Sequence, residues 1–250
     1  MSLTAGARLV RAEKSSESAA AVASDIKYPS NHVAFIQHSA GTTGLQKGVA
    51  LVHAAVLRQL QHLAGALQII SEDRIYSWLP LYHDMGLIAC FMLPMVCHVP
   101  VVMQSPIEWV MRPETMLQVI SEHQCTLAWM PNFAFQFIPR RTRPNRRQQY
   151  ELSSLRAVIN CSEPVRARSM QEFQDAFAVC GLRSSALQSS YAMAENVFAA
   201  AQSEITCASS PSRVWANGSR FRSSHQIVRI SEGIPGAMCF TSSWRLLPGQ

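Results

Sequence analysis

Charged side chains are scarce in this sequence of 250 residues. Asp, Glu, Lys and Arg together make up 15% of it, whereas about a quarter is usual for globular proteins. Hydrophobic residues make up 48%, which is enough for a sizeable core and excludes a disordered chain. Glycine and proline, at 11 and 13 residues, are too few for a collagen-like or low-complexity protein. The composition therefore indicates a soluble globular body of the α/β type.

The seven cysteines lack the spacing of a zinc site or of a disulfide framework. Their number is odd, and no two of them form a C-x-x-C pair, although such patterns are typical of both kinds of site. Most of them lie in apolar segments. We therefore expect buried, reduced thiols in a cytoplasmic protein.

Signals for secretion or membrane insertion are also lacking. Residues 1–30 are rich in Ala and Ser but contain no central apolar run, which excludes a secretory signal peptide. The apolar stretch 85–103 is long enough to be considered as a membrane span, but two prolines and a histidine interrupt it. A buried helix ending at Leu93, a break and a strand over 99–103 fit this stretch better, so no membrane span is predicted.

The net charge of +6 comes from one local cluster. Five arginines lie between Arg140 and Arg147, in the sequence PRRTRPNRRQQ, and without them basic and acidic residues nearly balance. A nucleic-acid-binding protein would be expected to spread its cations over a whole face. We interpret the cluster as a solvated loop between two elements, with nucleic-acid binding as a minor alternative.

Short β-branched segments alternate with amphipathic helical segments from residue 31 onward. Strands are predicted near 33–37, 49–52, 75–79, 99–103, 126–130, 155–160 and 186–190, and helices near 54–69, 85–93, 113–123, 132–138 and 169–180. Such alternation predicts an α/β fold with a mostly parallel sheet flanked by helices. The predicted organisation is a poorly structured segment over 1–30, a core over 31–205 and an irregular end over 206–250.

The strongest local motif is the glycine-rich segment SAGTTGLQKG, which runs from Ser39 to Gly48 between two predicted strands. Its glycines let the backbone turn tightly and direct N–H groups at an anion, while its threonines and Lys47 add hydroxyl donors and a positive charge. These groups suit a polyphosphate. The spacing excludes a Walker A loop, because Gly48 and not Ser or Thr follows Lys47. The alternative is a hairpin that only connects the two strands.

This segment resembles the phosphate loop of the adenylate-forming superfamily, the AMP-dependent synthetases that include acyl-CoA synthetases, fatty acyl-AMP ligases and peptide-synthetase adenylation domains. Three further segments resemble motifs of that family in the same order: SWLPLYHDMG from Ser77, NCSEP from Asn160 and SYAMAEN from Ser190. WLPLYHDMGL and the PNFAF segment over 131–135 are most similar to the fatty acyl-AMP ligase branch. The resemblance covers about residues 31–205.

The resemblance implies ATP-dependent activation of a fatty or other hydrophobic carboxylic acid to an acyl-adenylate, with ATP and Mg²⁺ as cofactors. The carboxylate would attack the α-phosphate in line and release pyrophosphate, so positioning and charge neutralisation would dominate catalysis. Transfer of the acyl group would follow, to coenzyme A or to the phosphopantetheine of an acyl carrier protein.

The resemblance also implies roles for individual residues in binding the nucleotide. The β- and γ-phosphates of ATP would be wrapped by Ser39, Gly41, Thr42, Thr43, Gly44 and Lys47. Ser162, Glu163 and Pro164 would line the adenine and ribose pocket. Tyr191 would stack on the adenine.

Three residues are the catalytic candidates that the resemblance implies. Lys47 belongs to the phosphate loop, and Glu195 would hold the Mg²⁺ that bridges the phosphates. His83 would lie where the carboxylate meets the α-phosphate, at the mouth of the acyl pocket.

Each of these assignments has a structural alternative. His83 and Asp84 would form a paired surface dyad, Glu195 would be a carboxylate at a helix N-terminus, and Tyr191 would belong to the core. A run of aromatic residues between 129 and 137 would line a lipid tunnel, or alternatively it would only pack in the core. This aromatic run consists of Trp129, Phe133, Phe135 and Phe137.

The sequence departs from the family pattern in several ways. Ala40 stands where the family commonly has a second hydroxyl, and Ala192 stands where a glycine is frequent. A ribose-binding aspartate, a hinge and a C-terminal domain with a catalytic lysine are not found, which indicates an internal fragment of the large N-terminal domain. We expect weak or no complete turnover with ATP binding retained. The alternative is a truncated, catalytically incompetent nucleotide-binding remnant.

Overall fold

The computed structural model describes residues 29–39 and 47–203 with their side chains, and 244–246 as backbone. The fold of this part is α/β, as the alternation of strands and helices predicts. Most of the predicted N-terminal segment and most of the predicted irregular end lie outside the described residues. The three domain boundaries therefore stay predictions.

A two-stranded hairpin stands apart from the main sheet. Strands β1 (Val33–His38) and β2 (Gly48–Val52) pair antiparallel, because a short connection between neighbouring strands permits only that direction. Both strands were predicted. The apolar, β-branched sequence of β1 is typical of a buried strand, but β1 is largely exposed, since Val33 and Ile36 are 44% and 65% exposed.

The main sheet has seven strands and is mostly parallel. They are β3 (Ile75–Ser77), β4 (Val101–Met103), β5 (Leu127–Met130), β6 (Ala157–Asn160), β7 (Leu187–Ala192), β8 (Ala199–Ser203) and β9 (Trp244–Leu246). Their order across the sheet is β4-β3-β5-β6-β7-β8-β9. The first five run parallel, and β8 and β9 are antiparallel to their neighbours. Every residue of β5 and β6 is buried, as expected for strands that helices cover on both faces.

The helices follow the predicted periodicity in most places. They are α1 (His53–Leu67), a π-helical segment (Met85–Met92), α2 (Leu93–Cys97), α3 (Pro106–Met111), α4 (Thr115–His123), α5 (Ala134–Arg141), α6 (Pro144–Arg147) and α7 (Ala167–Phe177). In the helix predicted near 54–69, the apolar residues recur at helical spacing on one face, and this face of α1 is buried, because Val56, Leu60, Leu63 and Leu67 are at most 6% exposed. No helix in the described part of the chain has both the length and the apolar character needed to cross a bilayer.

The predicted helix break after Leu93 is wrong. The π-helical segment passes directly into α2, and the Leu93 N–H bonds back to the Ile88 carbonyl. Pro94 lies in the first turn of α2, where its missing N–H is tolerated. The helix therefore continues to Cys97 before the chain enters β4.

Most of the arginine cluster is helical, which corrects the prediction of a loop except at the short connection that contains Arg143. Arg140 and Arg141 form the last turn of α5, and Pro144 opens α6. Arg140 is paired with Glu172 at 3.6 Å, and the Arg141 guanidinium lies 5.3 Å from the centre of the Phe137 ring. These contacts give part of the cluster a packing role, while nucleic-acid binding stays untested.

The described cysteines are free thiols, and most of them are buried. Burial raises the pKa of Cys90 and Cys125 to about 12 and that of Cys161 to about 11. These thiols therefore stay protonated near neutral pH, as expected for inert core residues. Cys207 and Cys239 lie outside the described residues.

A buried ion pair connects segments at the amino edge of the sheet. Asp73 precedes β3 and is 1% exposed, and Arg156 precedes β6. The Arg156 Nε donates to Asp73 Oδ1 at 2.7 Å, and the same guanidinium donates to the Leu67 and Gln68 carbonyls at the end of α1. Burial alone would raise the pKa of Asp73, but its hydrogen bonds, chiefly from Arg156, outweigh burial and lower the pKa below 3.8.

Replacing Arg156 by Ala is expected to destabilise the protein by about 3–5 kcal/mol, because the Asp73 carboxylate then stays buried without its partner. Urea unfolding followed by circular dichroism measures the change in the free energy of unfolding. Arg112→Ala is the control, since it removes the exposed 3.4 Å pair with Glu108 and should cost less than about 1 kcal/mol. Equal losses in the two variants would contradict a stabilising role of the buried pair.

The stabilisation by Asp73 depends on pH in a defined direction. Because folding lowers the pKa of this group, its contribution is complete above the ordinary value of 3.8 and is lost as the pH falls through the lower folded value. The wild type and Arg156→Ala should therefore differ in their free energy of unfolding by a constant amount near neutral pH. In acid this difference should become smaller, which urea unfolding at several pH values measures.

Candidate functional site

The motif segments lie at the carboxyl edge of the parallel sheet. Segment 78–86 follows β3, segment 131–133 follows β5, segment 161–164 follows β6 and segment 193–196 follows β7. The carboxyl ends of parallel strands meet at one edge, which is where α/β sheets bind ligands. The fold therefore brings to one edge the PNFAF segment and three of the four ordered motifs, the fourth being the glycine-rich loop of the hairpin.

The ends of the glycine-rich loop are closed by two hydrogen bonds. The Ser39 N–H donates to the Lys47 carbonyl at 2.9 Å, and the Lys47 N–H donates to Ser39 Oγ at 3.2 Å. The loop thus joins the two strands of the hairpin, an arrangement that suits both the connecting hairpin and the phosphate loop. The remaining residues predicted to contact phosphate lie outside the described residues: Gly41, Thr42, Thr43 and Gly44.

The predicted adenine segment is tied to the start of α5. Glu163 Oε2 accepts a hydrogen bond from the Phe133 N–H at 2.8 Å. Ser162 has a φ of 72°, in the left-handed region that non-glycine residues rarely adopt. Ser162, Glu163 and Pro164 are all exposed. The segment therefore has a defined backbone shape and presents its side chains to solvent at the carboxyl edge.

A buried amide that the sequence did not single out holds these segments together. Asn132 Oδ1 accepts hydrogen bonds from Asn160 Nδ2 at 3.1 Å and from the Arg166 N–H at 3.0 Å, and its Nδ2 donates to Ser169 Oγ at 3.2 Å. Asn132 connects the end of β5 to the end of β6 and to the start of α7. An asparagine next to each of two buried strands was the available signal, because buried amides need partners.

Tyr191 lies on the surface, so the core alternative is wrong for it. Its side chain is on β7 opposite Ala201 of β8, and it is 58% exposed. An exposed aromatic ring at this edge is available for stacking on a planar ligand. Stacking on adenine stays a prediction.

Glu195 lies in a short, firmly held turn, Ala194–Asn196. Within residues 29–39 and 47–203, no hydrogen bond or ion pair engages its exposed carboxylate. The turn is followed by Val197, which is buried at a φ of 64°, a costly conformation for a β-branched residue. The Met193 N–H donates to the Phe198 carbonyl at 2.8 Å and helps to impose this shape. Glu195 therefore lies in a single 3₁₀ turn, which the hydrogen bond between Met193 and Phe198 closes, and its side chain faces solvent.

His83 and Asp84 form the paired dyad that was one alternative for them. Their Nδ1 and Oδ1 atoms lie 2.6 Å apart, and the Met85 N–H also donates to Asp84 Oδ1 at 2.7 Å. The hydrogen bond to Asp84 raises the pKa of His83 above 6.5 and outweighs the opposite effect of burial. The dyad does not conflict with a catalytic role, because the ring is about half exposed.

A close backbone approach shapes the turn that carries the dyad. The His83 N–H donates to the Pro80 carbonyl at 3.3 Å, and the Leu87 N–H donates to the His83 carbonyl at 2.9 Å. A Cβ atom placed on Gly86 would lie 2.3 Å from the Pro80 oxygen. Only glycine therefore fits at position 86 without moving the segment before His83.

Gly86→Ala is expected to lower the free energy of unfolding by about 1–3 kcal/mol, because the added methyl group overlaps a backbone oxygen. The matched control is Gly65→Ala on α1, where a Cβ would meet nothing within 4 Å, and this variant should gain up to about 1 kcal/mol. Urea unfolding measures both changes. Equal stability of Gly86→Ala and the wild type would mean that the turn can move freely.

An aromatic cluster lies beside this turn, formed by Trp78, Trp109, Phe133 and Phe137. The Trp78 and Trp109 rings stack with centroids 3.6 Å apart, and Phe133 meets both edge-on. Phe133 is 46% exposed. The other two members of the predicted aromatic run, Trp129 and Phe135, are at most 1% exposed, so the packing alternative is confirmed for those two.

A site at the carboxyl edge of a parallel sheet is typical of nucleotide-binding α/β proteins. Comparison with known proteins agrees with this class. The family model described as "AMP-binding enzyme" matches residues 3–220. Because the match covers most of the chain, the protein belongs to the AMP-binding enzyme family. The matched range is wider than the residues 31–205 over which the motifs indicate the resemblance.

The chain is similar to bacterial fatty-acid ligases. It is 34% identical over 166 residues to the medium-chain-fatty-acid–[acyl-carrier-protein] ligase JamA of Moorena producens. This match covers 66% of the present chain and 28% of JamA. It is 33% identical over 168 residues to the long-chain-fatty-acid–AMP ligase FadD32 of Mycolicibacterium smegmatis, covering 65% and 26%. The chain spans less than a third of the length of these relatives.

Solved structures support the same fold. The fatty acid AMP ligase of Legionella pneumophila superposes with a TM-score of 0.70 at 32% identity, covering 72% of this chain and 32% of that one. A fatty acyl-adenylate ligase of the same organism, in complex with acyl adenylate and pyrophosphate, gives the same values. An adenylation domain of a keto acid-selecting peptide-synthetase module, at 21% identity and a TM-score of 0.66, shows the fold alone.

Proposed function

We propose that this protein takes part in the ATP-dependent activation of a hydrophobic carboxylic acid to an acyl-adenylate. The observation that carries the proposal is the convergence of His83, Glu163, Tyr191 and Glu195 on the carboxyl edge of one parallel sheet. Family membership and similarity to fatty-acid ligases support the same reaction. Because the chain spans less than a third of the length of these relatives, the complete reaction is proposed for a protein of their full length.

The proposed reaction breaks one phosphoanhydride bond. A carboxylate oxygen of the acid attacks the α-phosphorus of ATP, the bond from that phosphorus to the oxygen of the β-phosphate breaks, and pyrophosphate leaves with the electron pair. No proton has to move, so charge neutralisation and alignment lower the barrier. His83 suits this role, because its raised pKa favours an imidazolium that attracts both the carboxylate and the α-phosphate.

The described donor set fits Mg²⁺ that is bound mainly through the nucleotide. In the described part of the chain, no group of three His, Cys, Asp or Glu side chains could hold a metal ion by itself. Mg²⁺ commonly uses one or two carboxylates together with substrate phosphates and water, and Glu195 offers one such carboxylate. Bound there, Mg²⁺ would neutralise charge on the phosphates.

The aromatic cluster is the proposed start of the acyl site. Phe133 is half exposed and is supported from below by the Trp78–Trp109 stack, so it offers an apolar surface near the His83 turn. An acyl chain would gain binding energy by covering such a ring. The relatives whose names include an acyl carrier protein favour that acceptor over coenzyme A. A cytoplasmic location is proposed with it.

The test is calorimetric binding of two ligands, ATP with Mg²⁺ and a non-hydrolysable acyl-sulfamoyl adenosine. Glu195→Ala is expected to weaken ATP binding about 10-fold, or about 1.4 kcal/mol, when Mg²⁺ is present, and to leave it unchanged when EDTA is present. Binding of the acyl-adenylate analogue should be unaffected, because it lacks the β- and γ-phosphates.

The matched control for this experiment is Glu72→Ala. Glu72 is an exposed carboxylate that precedes β3 at the opposite edge of the sheet, so its removal should change neither ligand's affinity. If the folded wild type binds neither ligand, the proposed function is overturned. If Glu72→Ala weakens ATP binding as much as Glu195→Ala does, the metal role of Glu195 is wrong.

A further inference from the structure

We propose that Asp84 is a positioning residue that fixes the ring of His83 through Nδ1 and leaves Nε2 as the atom that meets the anionic ligand. The ligand in this statement rests on the proposed function. The control of His83 by Asp84 rests on the geometry of the dyad alone, so the two parts can be tested separately.

The dyad has one buried and one exposed member. The Asp84 side chain is 14% exposed and that of His83 is 49% exposed, with 2.6 Å between Oδ1 and Nδ1. At this distance Nδ1–H donates to the carboxylate, as is usual for a histidine that a second residue orients. The Met85 N–H lies 3.3 Å from Nδ1 but 2.7 Å from Asp84 Oδ1, and because the shorter contact satisfies this donor, Nδ1 can carry the proton that it donates to Asp84. Among the described residues, the polar contacts of the ring all involve Nδ1. Nε2 therefore stays available at the solvent-facing side.

The carboxylate that orients the ring is itself held in place. The Met85 N–H donates to Asp84 Oδ1 at 2.7 Å, so Asp84 caps the start of the π-helical segment. Met85 is 2% exposed, and the close approach of Gly86 to the Pro80 carbonyl fixes the backbone on the other side of the dyad. The backbone thus fixes the position of the Asp84 carboxylate, and the carboxylate in turn fixes the orientation of the His83 ring.

No competing charge faces the ring. Among the described residues, Asp84 is the one charged group that shifts the pKa of His83. The group that senses Asp84 from the neighbouring strand end is Cys161, whose pKa of about 11 keeps it neutral. Of these two side chains, the carboxylate therefore acts on the charge of His83, and it favours the Nδ1–H tautomer of the neutral ring as well as the imidazolium, in which Nε2–H can also donate.

The spectroscopic test is an NMR titration of the His83 ring between about pH 5 and 9, with the signal assigned from His83→Gln. In the wild type we expect the Nδ1–H tautomer at high pH and a pKa above 6.5. Asp84→Asn keeps an oxygen acceptor for the Met85 N–H but loses the charge. It should bring the pKa of His83 down toward its ordinary value of 6.5 and weaken the preference for the Nδ1–H tautomer.

Two controls separate positioning from a merely structural role. Asp84→Glu restores the charge and should recover part of the pKa shift. Asp175→Asn removes an exposed carboxylate on α7 that bonds only Gln171 among the described residues, and it should leave His83 unchanged. The same tautomer and pKa in the wild type and in Asp84→Asn, with both folded by their two-dimensional spectra, would overturn the proposal.

The ligand arm uses decanoyl-sulfamoyl adenosine as the probe. We expect it to shift the Nε2 resonance of His83 in the wild type and to bind about 10-fold more weakly to Asp84→Asn. Absence of binding to the wild type would refute the proposed function and leave the titration result to decide the role of Asp84. Equal binding by the wild type and Asp84→Asn, with the tautomer changed, would show that Nε2 does not meet the ligand.

Discussion

The parallel direction of β3, β5, β6 and β7 is the constraint on which the candidate site depends. The central strands are buried on both faces, and hydrophobic burial is the main force that keeps them in the sheet. Since they run in one direction, every segment that leaves a carboxyl end emerges at the same edge. Met85 and Ser162 are 77 positions apart in the chain, yet their side chains meet at 3.7 Å. No local property of either segment would bring them together.

Much of the fold could be predicted, because the periodicity of apolar residues reports burial directly. The stripe on α1 and the apolar runs of β5 and β6 are examples. The errors lie where burial and local preference separate. Strand β8 has the sequence AAAQS, which lacks the β-branched and aromatic residues typical of strands. The π-helical segment passes directly into α2 without a break at Pro94, and this continuation is not visible from composition.

The candidate site was predictable as a set of residues but not as a set of contacts. Ordered motifs singled out His83, Glu163 and Glu195, since their residue types and order resemble those of a known family. His83 pairs with the adjacent Asp84, whereas other contacts of the site come from distant parts of the chain. The bond between Glu163 and the Phe133 N–H joins residues 30 positions apart, and Asn132 acts through the ends of two strands. Such pairings follow from the sheet order, which the sequence indicates only coarsely.

The buried ion pair and the ligand-facing groups occupy opposite edges of the sheet. Asp73 and Arg156 precede their strands, whereas His83 and Glu163 follow theirs, and strands of three or four residues separate the edges by about 10–13 Å. Substitutions at that distance, with no shared partner, combine additively in free energy. Variation in the exposed groups of the carboxyl edge can therefore change the proposed ligand contacts without weakening the Asp73–Arg156 pair. In evolutionary terms, the amino ends of the strands carry a pair that stabilises the fold, and their carboxyl ends carry the groups that would set ligand specificity.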